Sequence, residues 1–189
     1  MATTTDTGSR GRTLIRFVLL AILLSGVGLV ILTFFWFVSP ATESVQSVEP
    51  ADAVVVFVGA GDRFDTATEP IDSGAADAIV VPNGRNGEVR TRLCDRSDIE
   101  VFCPDSETVD TLGEAQVIGG LAEQEGWTRL IAVTSPYHVH RATYQLSQCF
   151  SGEISAVSAD ATLDRDEWVE KVMHEWLGTI AAMTFQRAC

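Results

Sequence analysis

The chain has 189 residues, 26 of them acidic and 13 of them lysine or arginine, which gives a formal net charge of −13 at pH 7. An acidic surface argues against nucleic acid as a partner, because the phosphate backbone attracts basic proteins. About 150 residues follow an apolar N-terminal stretch, and a segment of that length forms a single domain with its own core.

An uncharged apolar stretch covers residues 17–38. About 22 residues with a rise of 1.5 Å each are enough to cross a hydrocarbon core, so the stretch predicts a transmembrane helix. Three arginines lie within residues 1–16, and this positive charge places that tail in the cytoplasm. A cleaved signal peptide is the alternative, since small residues follow at positions 39–41, but the apolar stretch is longer than an ordinary signal core.

The rest of the chain is therefore expected outside the membrane. Residues 39–50 form a polar linker, and residues 51–189 form the extracytoplasmic domain. Strands are predicted at 53–58, 78–81, 99–102, 130–133 and 154–157, and helices at 64–73, at 111–125, after Ser135 and after Asp164. Strands that alternate with helices in this way predict an α/β fold, a Rossmann-like three-layer sandwich whose mainly parallel sheet has about five strands.

Helix starts are marked by two predicted capping boxes. Thr111 pairs with Glu114 in one, and Asp164 pairs with Glu167 in the other. Gly126 is predicted to end the helix that begins at Thr111.

All four cysteines follow the apolar stretch, where an oxidising environment favours disulfides. Three pairings are open. We favour Cys94–Cys103, which closes a short loop, together with Cys149–Cys189, which fastens the C-terminal tail. The sequence has no C-x-x-C pattern and no cysteine–histidine cluster, so no metal site is expected. No cofactor is predicted either.

The segment from Leu130 to Ala142 changes from a buried strand to a helix within three residues. Thr134 ends the strand, Ser135 is the expected N-cap, and the helical period places His138 and Arg141 on one face. Ligands of open α/β sheets bind at such carboxyl ends of strands, beside helix N-termini. In the alternative interpretation, Thr134 and Ser135 only cap the helix, and His138 and Arg141 lie in solvent.

The first predicted strand ends at Gly59 and Gly61, followed by Arg63. Glycines let a ligand approach the backbone, and an arginine there offers a bidentate grip on phosphate or carboxylate. The alternatives are a tight turn that needs glycine, and a salt bridge from Arg63 to a neighbouring aspartate. The second predicted strand ends at Asn83 and Gly84, which are either ligand contacts beside the same crevice or turn residues.

Two residues at the start of the helix at 111–125 are further candidates. Thr111 is a candidate ligand contact. Glu114 is either the glutamate of the capping box or a catalytic carboxylate that orients His138.

A loop rich in arginine follows the second predicted strand, and its arginines are Arg85, Arg90, Arg92 and Arg96. This loop either attracts an anionic substrate or pairs with nearby acidic residues.

Several spaced motifs resemble those of the YdcF/SanA/ElyC family, a bacterial domain of unknown function, especially its actinobacterial members. The matching pieces are D-A-V-V-V-F-V-G-A-G at 52–61, D-R-F-D-T-A at 62–67, I-V-V-P-N-G at 79–84, T-L-G-E-A at 111–115 and V-T-S-P-Y-H-V-H-R-A at 133–142. The last piece is the most specific, and the family's histidine and arginine fall on His138 and Arg141. The turn at 82–84 departs from the family's usual Ser-Gly-Gly.

The resemblance implies a Rossmann-like domain, often anchored by one helix and associated with envelope biogenesis or barrier function, and it implies no known reaction. Together with the residues above, it leads to the hypothesis of a plasma-membrane protein that binds, and in an enzymatic version hydrolyses, an anionic phosphorylated molecule or a lipid-linked envelope precursor. Arg63 and Arg141 would bind the anion, and His138 would act as general base. Two alternatives are a non-catalytic envelope protein that acts through protein partners and a binder of a nucleotide-type ligand such as S-adenosylmethionine.

Overall fold

A computed structural model describes residues 7–57, 63–84, 93–186 and 189, with side chains from residue 11 onward. Helix α1 spans Thr7–Thr33 and continues as a π-helical turn over Phe34–Val38. The segment Gly11–Val38 is long and apolar enough to cross a membrane, and its most apolar window is not buried against the rest of the protein. The predicted apolar N-terminal helix is therefore confirmed.

A five-stranded sheet forms the centre of the domain. Its strands are β1 (Ala51–Val56), β2 (Ala76–Val80), β3 (Glu100–Phe102), β4 (Arg129–Thr134) and β5 (Glu153–Ser158). The order is β3-β2-β1-β4-β5, and every neighbouring pair is parallel. The predicted Rossmann-like α/β fold is confirmed. Because the winding reverses between β1 and β4, the crevice for ligands in such folds lies at their carboxyl ends.

Helices cover both faces of the sheet. They are α2 (Arg63–Asp72), α3 (Thr111–Glu125), α4 (Val139–Cys149), which follows a 3-10 turn at Pro136–His138, and α5 (Arg165–Thr184). Side chains alternate along β1, so that Ala53 and Val55 pack beneath α3 and α4, while Val54 and Val56 pack beneath α2. All of these residues are fully buried, as expected for a parallel sheet covered on both faces.

Helix α3 begins differently from the prediction. Its N-cap is Asp110, whose carboxylate accepts a 2.8 Å hydrogen bond from the Gly113 N–H, so the expected capping box of Thr111 with Glu114 is wrong. Aspartate caps a helix at least as well as threonine, and Thr111 becomes the first helical residue with its hydroxyl available elsewhere. The end of α3 at Gly126 is confirmed, with that glycine in the left-handed region at φ 71°.

The other capping box, Asp164 with Glu167 at the start of α5, is confirmed. Both predicted disulfides are also present, Cys94–Cys103 and Cys149–Cys189. The second one fastens the residue at the C-terminus to the end of α4.

The segment that precedes the domain is packed against it. Glu43 forms a parallel bridge with Val157 on the outer edge of β5, and its N–H donates to the Ala156 carbonyl at 2.9 Å. Val48 belongs to the core under α2. The segment between the apolar helix and the domain is thus an extension of the fold, and it covers an edge that would otherwise be unpaired.

The end of the apolar helix also contacts the domain directly. The Trp36 ring stacks on His140 of α4, with centroids 4.1 Å apart, and Phe37 is 1% exposed beside Trp176 of α5. Aromatic stacking and burial of this kind join the apolar helix to the domain at α4 and α5.

Candidate functional site

Buried polar side chains gather where β1 and β4 end. Phe57 continues β1 and pairs with Val133, while Thr134 and Ser135 end β4. Thr134 and Ser135 are fully buried, and the predicted N-cap position of Ser135 before Pro136 is confirmed. The Ser135 side chain makes no cap hydrogen bond, however, because its oxygen accepts from an arginine.

That arginine is Arg63, the first residue of α2, which is 2% exposed. Its Nε and Nη2 atoms donate to Ser135 Oγ at 3.0 and 2.8 Å, and Nη1 donates to the Phe57 carbonyl. Nη2 also lies 3.5 Å from the Tyr137 hydroxyl. Among the described residues, therefore, all hydrogen-bond partners of this buried guanidinium are neutral oxygens.

His138 occupies the end of the 3-10 turn and is 5% exposed. Its Nδ1 lies 3.1 Å from Glu175 Oε2, and its Nε2 lies 3.4 Å from Thr111 Oγ1. The imidazole thus bridges α5 and α3, with the Phe57 ring edge-on to it at 6.1 Å. His138 lies buried within the site and not in solvent.

Arg141, one turn further along α4, forms a bidentate pair with the same carboxylate. Its Nε and Nη2 donate to Glu175 at 2.8 and 2.7 Å, and Nη1 donates to Thr111 Oγ1 at 2.7 Å. The guanidinium expected to bind an anion therefore already has a carboxylate of the protein as its bidentate partner. Arg141 holds Glu175 and Thr111 around His138.

The protonation states follow from this network. Burial raises the pKa of Glu175, but hydrogen bonds from Arg141 and His138 outweigh it and lower that pKa to about 2. Burial lowers the pKa of His138 below 6.5, against the opposing effect of Glu175. Because an ionised carboxylate only accepts, the proton of neutral His138 lies on Nδ1, which leaves Nε2 as an acceptor.

Glu114 is buried at the start of α3, but it does not orient His138 as expected. Glu175 does so, because the Nδ1 side of the ring faces α5 while the Nε2 side faces α3 at Thr111. Burial lowers the pKa of Arg63, and the negative charge of Glu114 opposes that shift, so Glu114 acts electrostatically on Arg63.

Thr134 has a buried hydroxyl with no hydrogen-bond partner among the described residues. It stands at the carboxyl end of β4, directly before Ser135. An orphaned polar atom of this kind is uncommon in folded proteins and is consistent with the predicted ligand contact.

Asn83 and Gly84 serve the scaffold of the neighbouring strand end. Asn83 has φ 57° and exchanges hydrogen bonds with Ser106, including Nδ2 to Oγ at 2.8 Å. A Cβ on Gly84 would lie 2.8 Å from Val81 and 2.9 Å from Cys94 Sγ. Both residues thus shape a turn, as one of the two interpretations expected.

Several predicted site residues lie outside the described part of the chain. These are Gly59 and Gly61 after β1, and Arg85, Arg90 and Arg92 of the basic loop. Arg96, the remaining arginine of that loop, forms an exposed ion pair with Asp98.

The central carboxylate, Glu175, was not selected from the sequence. Glu175 shares one face of α5 with Thr179 and Ala182, and all three are buried. Their spacing along the helix is the only feature of the sequence that could have indicated this role. Apolar residues of the same helix, such as Ile180 and Met183, are exposed. The sequence does not show which face of α5 packs against the domain. Glu175 therefore could not be distinguished from the other acidic residues of this helix.

Comparison with protein-family models, with curated proteins and with solved structures found no match to this chain.

Proposed function

We propose that this protein is a membrane-anchored member of the YdcF/SanA/ElyC family whose extracytoplasmic domain binds an anionic, phosphorylated molecule of the cell envelope. The carrying observation is Arg63, a buried guanidinium at the carboxyl ends of β1 and β4 whose described partners are all neutral. Glu114 and Glu175 act on Arg63 through their charge, but no described carboxylate is hydrogen-bonded to it. Burial of a cation is costly, and an anion bound directly to the guanidinium would offset that cost.

The location of the site agrees with this proposal. It lies at the point where the winding of the sheet reverses, which is where ligands bind in open α/β folds. Phosphate would accept from the second N–H of Arg63 Nη1, since the other N–H groups donate to Phe57, Ser135 and Tyr137. The orphaned Thr134 hydroxyl supplies a neutral hydrogen-bonding group nearby.

The position in the membrane belongs to the same proposal. The arginines before the apolar helix favour a cytoplasmic N-terminus, and the two disulfides favour an oxidising compartment for the domain. Burial of Phe37 against the domain supports an anchor that is retained, since cleavage near residue 40 would remove that contact.

The test uses the full chain in detergent and measures binding of inorganic phosphate and methyl phosphate by calorimetry. Arg63→Lys keeps the positive charge but loses the planar guanidinium with its several N–H donors. We expect it to weaken phosphate binding by about tenfold. Arg129→Gln is the matched control, because Arg129 pairs with Glu49 and Glu153 at the opposite end of β4. Equal affinities in Arg63→Lys and wild type would refute the proposal.

A second candidate function, hydrolysis of a phosphate ester at the same site, is favoured by the pairing of His138 with Glu175. Nε2 of His138 would take a proton from an attacking water as the new P–O bond forms. The ester P–O bond would break, and the imidazolium would return the proton to the leaving oxygen.

Hydrolysis is tested with methyl phosphate and with larger phosphate monoesters. His138→Gln should abolish turnover while leaving phosphate affinity within about threefold, because glutamine keeps a polar group but cannot carry a proton between two positions. Binding without turnover in the wild type would leave a binding protein and exclude hydrolysis of these esters.

A further inference from the structure

An apolar groove lies between the end of the anchor and helix α5. Its walls are Leu29, Val30 and Phe34 on the anchor side, and Val172, Met173 and Ile180 on the α5 side. Its volume is about 660 Å³, and its surface is almost entirely hydrocarbon. That volume lies within the range of sites that hold small molecules.

The anchor wall of the groove indicates what occupies it. These residues fall in the last third of the segment Gly11–Val38, so the groove opens at the level where that helix leaves the hydrocarbon. Residues 176–184 of α5 carry no charge, and Leu177 and Met183 among them are exposed. A surface of this composition at that depth is compatible with lipid chains and unfavourable for water.

The groove continues towards the polar site. A second apolar cavity of about 300 Å³ shares Val38 and Met173 with it and extends to Trp168. The Trp168 ring packs edge-on against Tyr137 at 5.7 Å, and the Tyr137 hydroxyl lies 3.5 Å from Arg63 Nη2. Two packed rings, Trp168 and Tyr137, therefore separate the second cavity from the buried guanidinium.

We infer that this groove binds the hydrocarbon chain of an anionic membrane amphiphile whose phosphate head group reaches Arg63. The inference rests on the proposed function and narrows it from phosphorylated molecules in general to phosphate-headed lipids. The chain lies between α1 and α5, and the head group extends past Trp168 and Tyr137 to the carboxyl ends of β1 and β4.

The experiment measures the affinity of the full chain, in an uncharged maltoside detergent, for methyl, octyl and dodecyl phosphate. Burial of each additional methylene strengthens binding by up to about fourfold, and we expect a total gain of at least about tenfold from methyl to dodecyl phosphate in the wild type. Competition with detergent for the groove reduces this gain, so variants provide the decisive comparison.

Met173→Asn and Ile180→Asn place an amide in the groove, while Leu177→Asn is the matched control on the same helix. Leu177 is 67% exposed, against 57% for Met173, and it does not line the groove. We expect the two groove variants to lose most of the increase in affinity from methyl to dodecyl phosphate. Their affinity for methyl phosphate should be unchanged. The Leu177→Asn variant keeps the gain.

Different failures have different meanings. If methyl phosphate binding depends on Arg63 but dodecyl phosphate binds Met173→Asn and wild type equally, the groove inference is overturned and the proposed function stands. An equal loss in Met173→Asn and Leu177→Asn also overturns the inference, because it indicates general contact with the micelle. If dodecyl phosphate binding depends on Met173 and is unchanged in Arg63→Lys, the link between groove and site is overturned along with the proposed function.

Discussion

The ends of β4 and β2 look alike in sequence, and the structure uses them differently. At the end of β4, Ser135 and His138 are buried, and their partners come from α2, α3 and α5. At the end of β2, Asn83 is satisfied by Ser106, a residue of the loop that follows β3. A polar residue after a strand is thus a better site candidate when distant elements converge on it than when a neighbouring loop satisfies it.

The largest effect is expected at Glu175, the centre of the β4 region. Glu175→Gln removes the charge that pairs with Arg141 and leaves that guanidinium partly buried, so we expect a loss of about 3–5 kcal/mol in the free energy of unfolding. Chemical denaturation measures this loss. Glu170→Gln, on the exposed side of the same helix, should change stability by less than about 0.5 kcal/mol. Similar losses in both variants would mean that the network does not hold the β4 region together.

The β2 region depends on its disulfide. Replacing Cys94 and Cys103 together by serine releases a loop with a sequence separation of 9, and we expect a loss of about 2–3 kcal/mol. The measurement is thermal unfolding with and without reductant. Without reductant the variant should unfold between the oxidised and the reduced wild type, because reduction of the wild type also breaks Cys149–Cys189. Phosphate affinity should stay unchanged, and a loss of affinity would place this region in the binding site after all.

Acid should destabilise the β4 region through His138. Its pKa in the folded protein is lowered, so below the ordinary value of 6.5 the unfolded chain takes up a proton before the folded protein does. Stability is therefore fully present above pH 6.5 and falls as the pH drops below it, by at most about 1.4 kcal/mol per pH unit for one proton.

Unfolding of wild type and His138→Gln between pH 7.5 and pH 5.5 measures this slope, and the variant should show a flatter dependence. Burial also lowers the pKa of His140. Unfolding of His140→Gln over the same pH range therefore measures the contribution of this second histidine to the slope. A slope in His138→Gln as steep as in the wild type would contradict a buried neutral imidazole.

An effect on stability similar in size to that of acid is expected at Asn83. Asn83→Ala removes the hydrogen bonds to Ser106 and places alanine at φ 57°, which together should cost about 1–2 kcal/mol of stability. Titration with methyl phosphate should give the wild-type affinity. An affinity loss as large as that of Arg63→Lys would remove the distinction between the two strand ends.

Much of the fold could be predicted from local signals. The Asp164 and Glu167 pair and Gly126 each fix a helix end through contacts within a few residues, and the apolar runs fix the strands. The bounds of α3 were predicted, but its N-cap was placed one residue late, because Asp110 and Thr111 are both good caps and only the use of the Thr111 hydroxyl by Arg141 separates them.

The site was predicted only in part for a related reason. His138, Arg141 and Arg63 belong to motifs near strand ends, whereas Glu175 reaches the site from a helix that begins 27 residues after His138. Its role depends on which face of α5 turns inward, and that is decided by packing against α4. The resemblance to a family selected His138 and Arg141 but offered no carboxylate on α5.

The bridge between Glu43 and Val157, together with the burial of Phe37, has a consequence for how such a protein meets its ligand. Paired backbone and packed rings join the domain to the apolar helix, so the domain does not move freely relative to that helix. Its crevice therefore stays at one height and one orientation relative to the helix. For the membrane lipid inferred above, encounters would then depend on lateral diffusion and on the number of lipid molecules per unit area of membrane.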